Sequence, residues 1–299
     1  MSNNTNDSPS AAKLGALLVF LAGATWGCVG LFIRPLTSMG YSNFQLAWVR
    51  ALITAIIFFA FIMVRKPDAL HIKPRDIWCF LGTGLVSVVF FCICYYTTIS
   101  FTSLSVAAVF MYTSPAFVLV LSHFFFGDSV TPLKIGAVVL VIVGCTFVSG
   151  LAVGVPQLPL IGVLTGLGSG IGYASYSVFS RFAIQRGYES ITITFWTFFI
   201  AAIGASFISS PGAALAHMFS APESIPWLVG LAVFNAVIPY ALFTAGLKYI
   251  ENSRAAIIVS VEVVVASLVG TFVFGEPFMW FNGVGMALVL FAVALLARE

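Results

Sequence analysis

Two charged residues, Arg50 and Glu262, lie well inside long apolar segments of this 299-residue chain. A carboxylate in such a place can bind an amino or cationic group of a ligand or carry a proton, and a guanidinium can bind a carboxylate. Because a charge near the centre of a bilayer costs roughly 2.5–3.5 kcal/mol on insertion scales, such groups are expected to face protein or water. Glu262, close to the midpoint of its segment, is therefore the first candidate for substrate binding or coupling.

Each charged candidate also has a plainer interpretation. Glu262 is either a substrate or proton site or a hydrogen-bonded glutamate that ties neighbouring helices together. Arg50 lies nearer the end of its segment, where snorkelling of its long side chain to the interface is favoured over binding to a substrate carboxylate or to helix carbonyls. His123 can titrate near neutral pH and is a coupling or gating candidate, although a lone histidine near a helix end is more often structural.

A stripe of hydroxyl-bearing and aromatic side chains follows one segment of the second half. It consists of Ser169, Tyr173, Tyr176, Ser177 and Ser180. Their spacings of three and four place them on one face of a helix. Such a face predicts a cavity with hydrogen-bonding groups and apolar walls, with helix–helix hydrogen bonding as the alternative. The other residues predicted to line this cavity are Trp26, Tyr96, Tyr112, Ser114, Asn235 and Tyr240.

Backbone breakers indicate which helices bend. Pro115 and Pro239 each lack an amide hydrogen and clash with the preceding turn, so a kink near mid-membrane and a gating role are predicted at both. Glycines four residues apart form two ridges, at Gly23 and Gly27 and at Gly162, Gly166 and Gly170. Such ridges favour close helix packing over a dedicated sliding surface.

Ten long apolar segments position these residues, and each is close to the roughly 20 residues that a helix needs to cross a membrane. With 61% hydrophobic and 8% charged residues, the chain has too little polar surface for a soluble protein of its length. The sequence therefore predicts an all-α integral membrane protein with ten transmembrane helices. These helices are predicted at residues 14–34, 43–64, 76–99, 104–126, 132–150, 158–181, 190–209, 225–247, 254–274 and 278–297.

The segment pattern of the first half returns in the same order in the second half. With an offset of 147 residues, Arg34 aligns with Arg181. With an offset of 148 residues, the helix ending Phe126-Gly127-Asp128 aligns with Phe274-Gly275-Glu276. Because each copy holds five helices, an odd number, the second copy is predicted to be inverted in the membrane, an arrangement typical of secondary transporters.

The predicted chain has three parts. Residues 1–12 form a disordered cytoplasmic tail, residues 13–150 the first five-helix repeat, and residues 158–299 the second, inverted repeat, with the ten helices around a central cavity. The two copies differ where Ser114-Pro115 of the first aligns with Glu262-Val263 of the second. This difference in a paired scaffold is where binding and coupling are expected.

Basic residues predict the orientation. With the N-terminus inside, eleven of the thirteen Lys and Arg residues fall in cytoplasmic segments, Arg34 falls in an external loop and Arg50 lies within a span. The chain is thus predicted to be a multi-pass protein of the cell membrane with both termini in the cytoplasm.

The residues present disfavour several other classes of protein. The chain has three histidines and neither a His-Glu-x-x-His motif nor a phosphate-binding loop, so an enzyme or an ATP-driven pump is not expected. No basic cluster lies beside aromatic residues outside the membrane, so nucleic acid is not an expected partner. The five cysteines fall inside predicted spans and are expected to pack there, and neither a metal nor a cofactor is predicted. A channel would more readily show repeated polar or charged rings.

Over nearly its whole length the chain resembles the EamA-type members of the drug/metabolite transporter superfamily. The five-plus-five layout, the two Phe-Gly-acid helix endings, Trp26-Gly27 and Arg50 carry the resemblance. It implies a central cavity lined mainly by helices 1, 3, 4, 6, 8 and 9 and transport of amino acids or other small metabolites, often outward. The family pattern in helix 9 is commonly Glu-Pro, and here Glu262 is followed by Val263, so the proline kink expected there is missing.

The predicted function is secondary-active transport by alternating access, driven by the gradient of the substrate or by protons. One carboxylate, several hydroxyls and many rings suit a small amphoteric or cationic molecule, and amino acids fit best, with export as the expected direction. The alternative substrate is a lipophilic cation, as in multidrug transport, or a nucleobase-like compound. The expected partners are the small-molecule substrate and the lipid bilayer, and the sequence does not determine the oligomeric state.

Overall fold

The computed structural model describes residues 9–152 and 158–297, and the regular elements in these ranges are helical. Residues 1–8 of the predicted tail and most of the predicted break between the halves lie outside the described residues. The first helix begins at Pro9, so the prediction of a disordered tail is wrong for residues 9–12. The all-α prediction is confirmed for the described residues.

Sixteen α-helices lie in the described residues, and two π-helical segments, Gly82–Phe90 and Val233–Val237, interrupt longer helical stretches. The α-helices are α1 (Pro9–Gly27), α2 (Gly30–Ser38), α3 (Asn43–Arg65), α4 (Ile77–Leu81), α5 (Phe91–Phe101), α6 (Leu104–Met111), α7 (Ser114–Phe126), α8 (Pro132–Val148), α9 (Leu160–Gln185), α10 (Ser190–Ser209), α11 (Pro211–Ser220), α12 (Ile225–Ala232), α13 (Ile238–Gly246), α14 (Asn252–Ile258), α15 (Val261–Phe274) and α16 (Trp280–Ala297).

Eight helical stretches in the described residues are long and apolar enough to cross a membrane. They are Ser10–Ser38, Asn43–Arg65, Pro74–Phe101, Leu104–Phe126, Ser190–Ser209, Pro222–Gly246, Asn252–Phe274 and Trp280–Ala297. The apolar helix α8 is shorter, and α9 is long enough but carries the glycines and hydroxyls of the predicted stripe. Large apolar side chains cover the outside of the bundle, with Phe207 85% and Phe272 82% exposed. A surface of this kind is suited to lipid.

Two long stretches are broken at equivalent positions of the two copies. α6 and α7 separate at Tyr112–Thr113, just before Pro115, as predicted. α14 and α15 separate at Val259–Ser260, where the sequence has no proline. There the Glu262 amide donates to the carbonyl O of Val259, three residues earlier, at 3.0 Å, which tightens the turn. This helix is therefore interrupted although the proline of the family pattern is missing.

A glycine of a neighbouring helix packs against each break. An ideal Cβ at Gly23 of α1 would lie 2.5 Å from the carbonyl O of Val259. In the other copy, an ideal Cβ at Gly170 of α9 would lie 2.5 Å from Oγ1 of Thr113. The predicted packing ridges are thus confirmed at these two glycines, and each one brings its helix against the break of another.

The bend predicted at Pro239 takes the form of a widened turn. Pro239 is the second residue of α13, which directly follows the π-helical segment Val233–Val237. Because proline has no amide hydrogen, it cannot donate to the carbonyl of Asn235, four residues earlier. That carbonyl becomes available to another helix.

Helix packing mostly joins the first half of the chain to the second. α3 packs against α10, and α8 packs against α16. α1 lies against α13 and α15, and α9 lies against α5, α6 and α7. The largest apolar core includes Val19, Ile257 and Leu296, which are fully buried. A cavity remains between the two halves.

Candidate functional site

The central cavity has a volume of about 650 Å³ and extends to one end of the bundle. Arg34, Thr37 and Asn43 line it there, and we call this side the Arg34 end. The opposite end carries an ion pair between Arg181 and Asp128, neither of which is a lining residue, and we call it the Arg181 end. The cavity is therefore open toward the Arg34 end.

Eleven of the predicted site residues line this cavity. They are Trp26, Arg50, Tyr96, Tyr112, Ser114, Tyr173, Tyr176, Ser177, Asn235, Tyr240 and Glu262. Arg50 and Cys145 also line the cavity, so the second and fifth predicted helices contribute to it beside the six that the family resemblance implies. Since these residues are distant in sequence, helix packing brings them together.

Five predicted residues lie elsewhere. Ser180 of the stripe is fully buried and is not a lining residue. Ser169 is fully buried and its hydroxyl donates to the carbonyl of Gly166 in its own helix at 2.6 Å, so its assignment to the cavity is wrong. Pro115 and Pro239 lie at the helix interruptions and are not lining residues. His123 lies at the Arg181 end.

The His123 ring faces the backbone rather than the cavity. Its Nδ1 lies 2.9 Å from the carbonyl O of Asp128, in the turn that follows α7. This contact fits the structural interpretation of His123, because it holds the turn that carries Asp128. Its predicted gating role would act through that turn.

Glu262 occupies the first turn of α15, directly after the helix break. The Tyr173 hydroxyl donates to its Oε2 at 2.9 Å, and Tyr112 lines the cavity beside it. None of the six ion pairs among the described residues involves Glu262. The N-terminal turn of a helix favours a negative side chain. The carboxylate thus faces the cavity with hydroxyl partners and without a protein cation.

Arg50 binds another helix instead of reaching toward the membrane surface. Its guanidinium donates to Oδ1 of Asn235, and its Nε is buried without a partner. The snorkelling interpretation is therefore wrong, because an amide acceptor lies within reach inside the protein. Arg50 thus lines the cavity, while its Nε is buried and has no hydrogen-bond partner.

Asn235 connects Arg50 to the aromatic wall. Its backbone carbonyl, to which Pro239 cannot donate, accepts a 3.0 Å hydrogen bond from Nε1 of Trp26. The Trp26 ring lies 6.3 Å from that of Tyr173, measured between centroids, and Tyr173 in turn binds Glu262. A chain of contacts thus runs from Arg50 to Glu262 along one side of the cavity.

Aromatic rings form much of the cavity wall. The rings of Trp26 and Tyr240 meet edge to face with centroids 5.0 Å apart, and those of Tyr176 and Tyr240 do the same at 4.7 Å. The Tyr176 hydroxyl also bonds to that of Thr244. Because the Trp26 N–H and the Tyr176 hydroxyl have partners within the protein, these rings can contact an apolar part of a ligand.

Sequence reasoning missed several lining residues, among them Tyr95, Ser87 and Ser267. Tyr95 stacks on Phe91 with ring centroids 5.4 Å apart. Tyr95 is next to the predicted Tyr96 in the sequence. Because consecutive side chains of a regular helix point about 100° apart, the two were not expected to face the same cavity. Among the described residues, no group of three or more His, Cys, Asp or Glu is placed to hold a metal.

Polar contacts close the Arg181 end. The Asp128 and Lys134 side chains are each only 3% exposed, and they pair with Arg181 and Glu251 respectively. Burial raises the pKa of Asp128, and the Arg181 guanidinium offsets part of that rise. Buried ion pairs of this kind hold their partners firmly, because separating them leaves an unpaired charge.

Replacing Trp26 with phenylalanine is expected to destabilise the protein by about 1–3 kcal/mol, because the Asn235 carbonyl loses its indole donor in a buried site. Thermal unfolding in detergent, followed by circular dichroism, measures the effect. Trp227→Phe is the matched control, since Trp227 is 39% exposed on the outside of the bundle. Equal melting temperatures for the two variants would contradict the assigned role of the indole.

The chain is similar to several known proteins. A family model described as the EamA-like transporter family matches residues 13–150 and again residues 160–298. An uncharacterized transporter of Archaeoglobus fulgidus is 28% identical over 290 residues, covering 96% of this chain and 97% of that protein. An uncharacterized transporter of Synechocystis sp. is 30% identical over 234 residues, covering 75% of this chain and 67% of that protein. A protein of known crystal structure is 19% identical and matches the fold with a TM-score of 0.76 over 96% of each chain.

Proposed function

The chain belongs to the EamA-like transporter family, and from that premise we propose that it is a secondary transporter that exports amino acids across the cell membrane by alternating access. Membership makes it a multi-pass membrane protein, as its apolar helices also indicate. Transport rather than catalysis is the proposed activity. The substrate class rests on the chemistry of the cavity.

The placement of Glu262 carries the proposal. Its carboxylate lines the cavity, accepts from Tyr173 and lacks a protein cation within the described residues. A buried carboxylate without such a partner is a favourable site for the ammonium group of a substrate. The same group can exchange the substrate for a proton, which would couple transport to a proton gradient.

Arg50 supports an amphoteric substrate. Its unpartnered Nε belongs to a guanidinium that lines the same cavity and is held by Asn235. A guanidinium binds a carboxylate with two donors, so Arg50 and Glu262 together match the two charges of an amino acid. The aromatic wall between them matches an apolar side chain.

We further propose that ten spans form two inverted five-helix repeats. The family model matches twice, and the packing of α1 on α13 and α15 has its counterpart in the packing of α9 on α5 and on α6 and α7. When α8 and α9 are counted with the eight long apolar stretches, the chain has ten spans. With the basic residues placed inside, both termini are cytoplasmic and the Arg34 end faces outward.

Counterflow in proteoliposomes tests the proposed activity. Vesicles loaded with an unlabelled amino acid should accumulate the same labelled amino acid transiently and saturably. A panel of neutral, cationic and anionic amino acids is assayed with and without an imposed pH gradient. Failure of every amino acid to drive counterflow, with folded protein in the vesicles, would refute the substrate class.

A lipophilic cation is the second candidate substrate. Its support is the placement of aromatic rings around Glu262, since Tyr173 binds the carboxylate and the Trp26 ring lies 6.3 Å from that of Tyr173. Rings beside a carboxylate suit a hydrophobic cation. Inhibition of counterflow by such cations alone, and not by amino acids, would favour this candidate.

Replacing Arg50 with glutamine is expected to raise the KM for an amino acid by about tenfold to a hundredfold, because a charged hydrogen bond contributes roughly 1.5–3 kcal/mol. The KM for the corresponding amine, which lacks the carboxylate, should change little. Arg65→Gln serves as the control, because Arg65 is exposed at the far end of the same helix. An equal change in KM for the acid and the amine would exclude carboxylate binding by Arg50.

A further inference from the structure

A cluster of three residues at the Arg34 end joins the two halves of the chain. Arg34 of α2 pairs with Glu276, and its guanidinium carbon lies 4.0 Å from the ring centroid of Phe274, the last residue of α15. We call these residues the Arg34 cluster. It lies at the rim of the cavity, which Arg34 and Phe274 line.

A cluster of the same composition lies at the Arg181 end. Arg181 of α9 pairs with Asp128 at 2.8 Å, and its guanidinium carbon lies 4.7 Å from the ring centroid of Phe126, the last residue of α7. We call these residues the Arg181 cluster. Each of its members aligns with a member of the Arg34 cluster in the internal repeat.

The helix endings build both clusters in the same way. Gly127 and Gly275 adopt left-handed backbone angles, with φ of 71° and 67°, and each ends its helix. The amides of Asp128 and Glu276 then bond back to carbonyls of their own helices at 3.3 and 3.1 Å. This turn directs each acidic residue toward an arginine on a different helix.

The two clusters differ in exposure. The side chains of Arg34 and Glu276 are each 48% exposed, whereas those of Arg181 and Asp128 are 20% and 3% exposed. Water reaches the pair beside the open cavity and is largely kept from the pair at the closed end. An ion pair contributes little when solvated, and removing one partner has a large effect when the pair is buried.

We propose that the two clusters are equivalent gates, and that burial of one or the other sets which end of the transporter is open. The inference rests on the proposed alternating access. In the state seen in the structure, the ion pair of the Arg181 cluster, with Asp128 buried and Arg181 20% exposed, holds its end shut. In the opposite state the repeat exchanges the two environments, so the Arg34 cluster is buried and the Arg181 cluster is solvated.

This assignment predicts opposite effects for equivalent substitutions. Asp128→Asn leaves Arg181, whose side chain is only 20% exposed, without its carboxylate, so it destabilises the state that is open at the Arg34 end. Glu276→Gln removes an ion pair that is half exposed in this structure and buried in the opposite state. The opposite state loses more stability, so the substitution favours the state that is open at the Arg34 end. A shift of roughly tenfold in the ratio of the two states is expected for each.

Two equivalent serines provide the reporter positions. Ser105 lines the cavity near the Arg34 end, whereas Ser253, its counterpart in the repeat, is fully buried. Each is replaced by cysteine in a separate protein, and the protein is placed in lipid nanodiscs, where a small methanethiosulfonate reagent reaches both ends. Mass spectrometry of the reporter peptide gives its labelling rate independently of the native cysteines.

The expected result is a crossed pattern. Asp128→Asn should slow labelling at Ser105→Cys and accelerate it at Ser253→Cys, and Glu276→Gln should do the reverse. Asp128→Glu keeps the negative charge and introduces the residue type of the aligned Glu276. Its reporter cysteines should be labelled at the same rates as those of the parent protein. Size-exclusion chromatography checks that each variant is folded, and the Arg181→Gln variant replaces Asp128→Asn if the latter does not fold.

The outcomes separate this inference from the proposed function. If both substitutions shift the labelling rates in the same direction, or neither shifts them, the clusters are not gates, even when counterflow of amino acids is saturable. A crossed pattern in a protein that transports no amino acid would support the gates and reject the substrate class, since labelling requires no substrate.

Discussion

Replacing Glu262 with glutamine is expected to lower amino acid counterflow by about tenfold to a hundredfold while leaving the amount of folded protein unchanged. Glutamine is close to glutamate in size and can still accept from the Tyr173 hydroxyl, so the contact seen at 2.9 Å is retained. What is lost is the charge, and with it a charge-assisted bond to a substrate ammonium worth roughly 1.5–3 kcal/mol. The substitution thereby separates the binding role of Glu262 from its structural role.

The same variant tests proton coupling. If Glu262 carries the proton, the residual transport of the glutamine variant should no longer respond to an imposed pH gradient. Glu223→Gln is the matched control, because Glu223 is exposed in a connection between helices. Unchanged counterflow with an unchanged response to pH would assign Glu262 to helix packing alone.

A methyl group at Gly23 is expected to have the second large effect. The added Cβ would lie 2.5 Å from the carbonyl O of Val259 and 2.8 Å from Cγ1 of Val261, so α1 must move away from the break between α14 and α15. Overpacking typically costs about 1–3 kcal/mol, and a backbone atom cannot rotate out of the way. Gly23→Ala should lower the melting temperature by roughly 2–10 °C and reduce transport as well.

Gly136→Ala provides the control for that experiment. Gly136 lies inside α8, and no heavy atom outside its own helix lies within 4 Å of an ideal Cβ at this position. A Gly-to-Ala change in such a place stabilises a helix by about 0.5–1 kcal/mol. A melting temperature for Gly23→Ala as high as that of Gly136→Ala would show that α1 does not press on the break.

The helical membrane fold was predictable because its signal is local. Each apolar stretch satisfies its own backbone and must match the thickness of the bilayer, so length and composition are sufficient. The helix boundaries were harder to predict. A break at Pro115 follows from the missing amide hydrogen. The break at Val259–Ser260 has no proline to signal it and lies against Gly23, which is distant in sequence.

The candidate site was predictable in part for a related reason. Glu262 and the stripe from Tyr173 to Ser177 stand out because polar groups are rare in apolar segments. Ser169 belongs to the same stripe, yet its hydroxyl bonds to its own helix. Arg50 was misplaced because the acceptor that holds it, Asn235, is on another helix.

The sequence by itself determined the helical class, the family and the pairing of the two copies, since each depends on patterns repeated along the chain. Only the tertiary structure decided that the Arg34 and Arg181 clusters form ion pairs at opposite ends and differ in burial. The physical reason is that the strength of an ion pair depends on its exposure to water, and exposure depends on how helices from both halves pack. The repeat supplied two equivalent sets of residues, and packing made one of them a closed end.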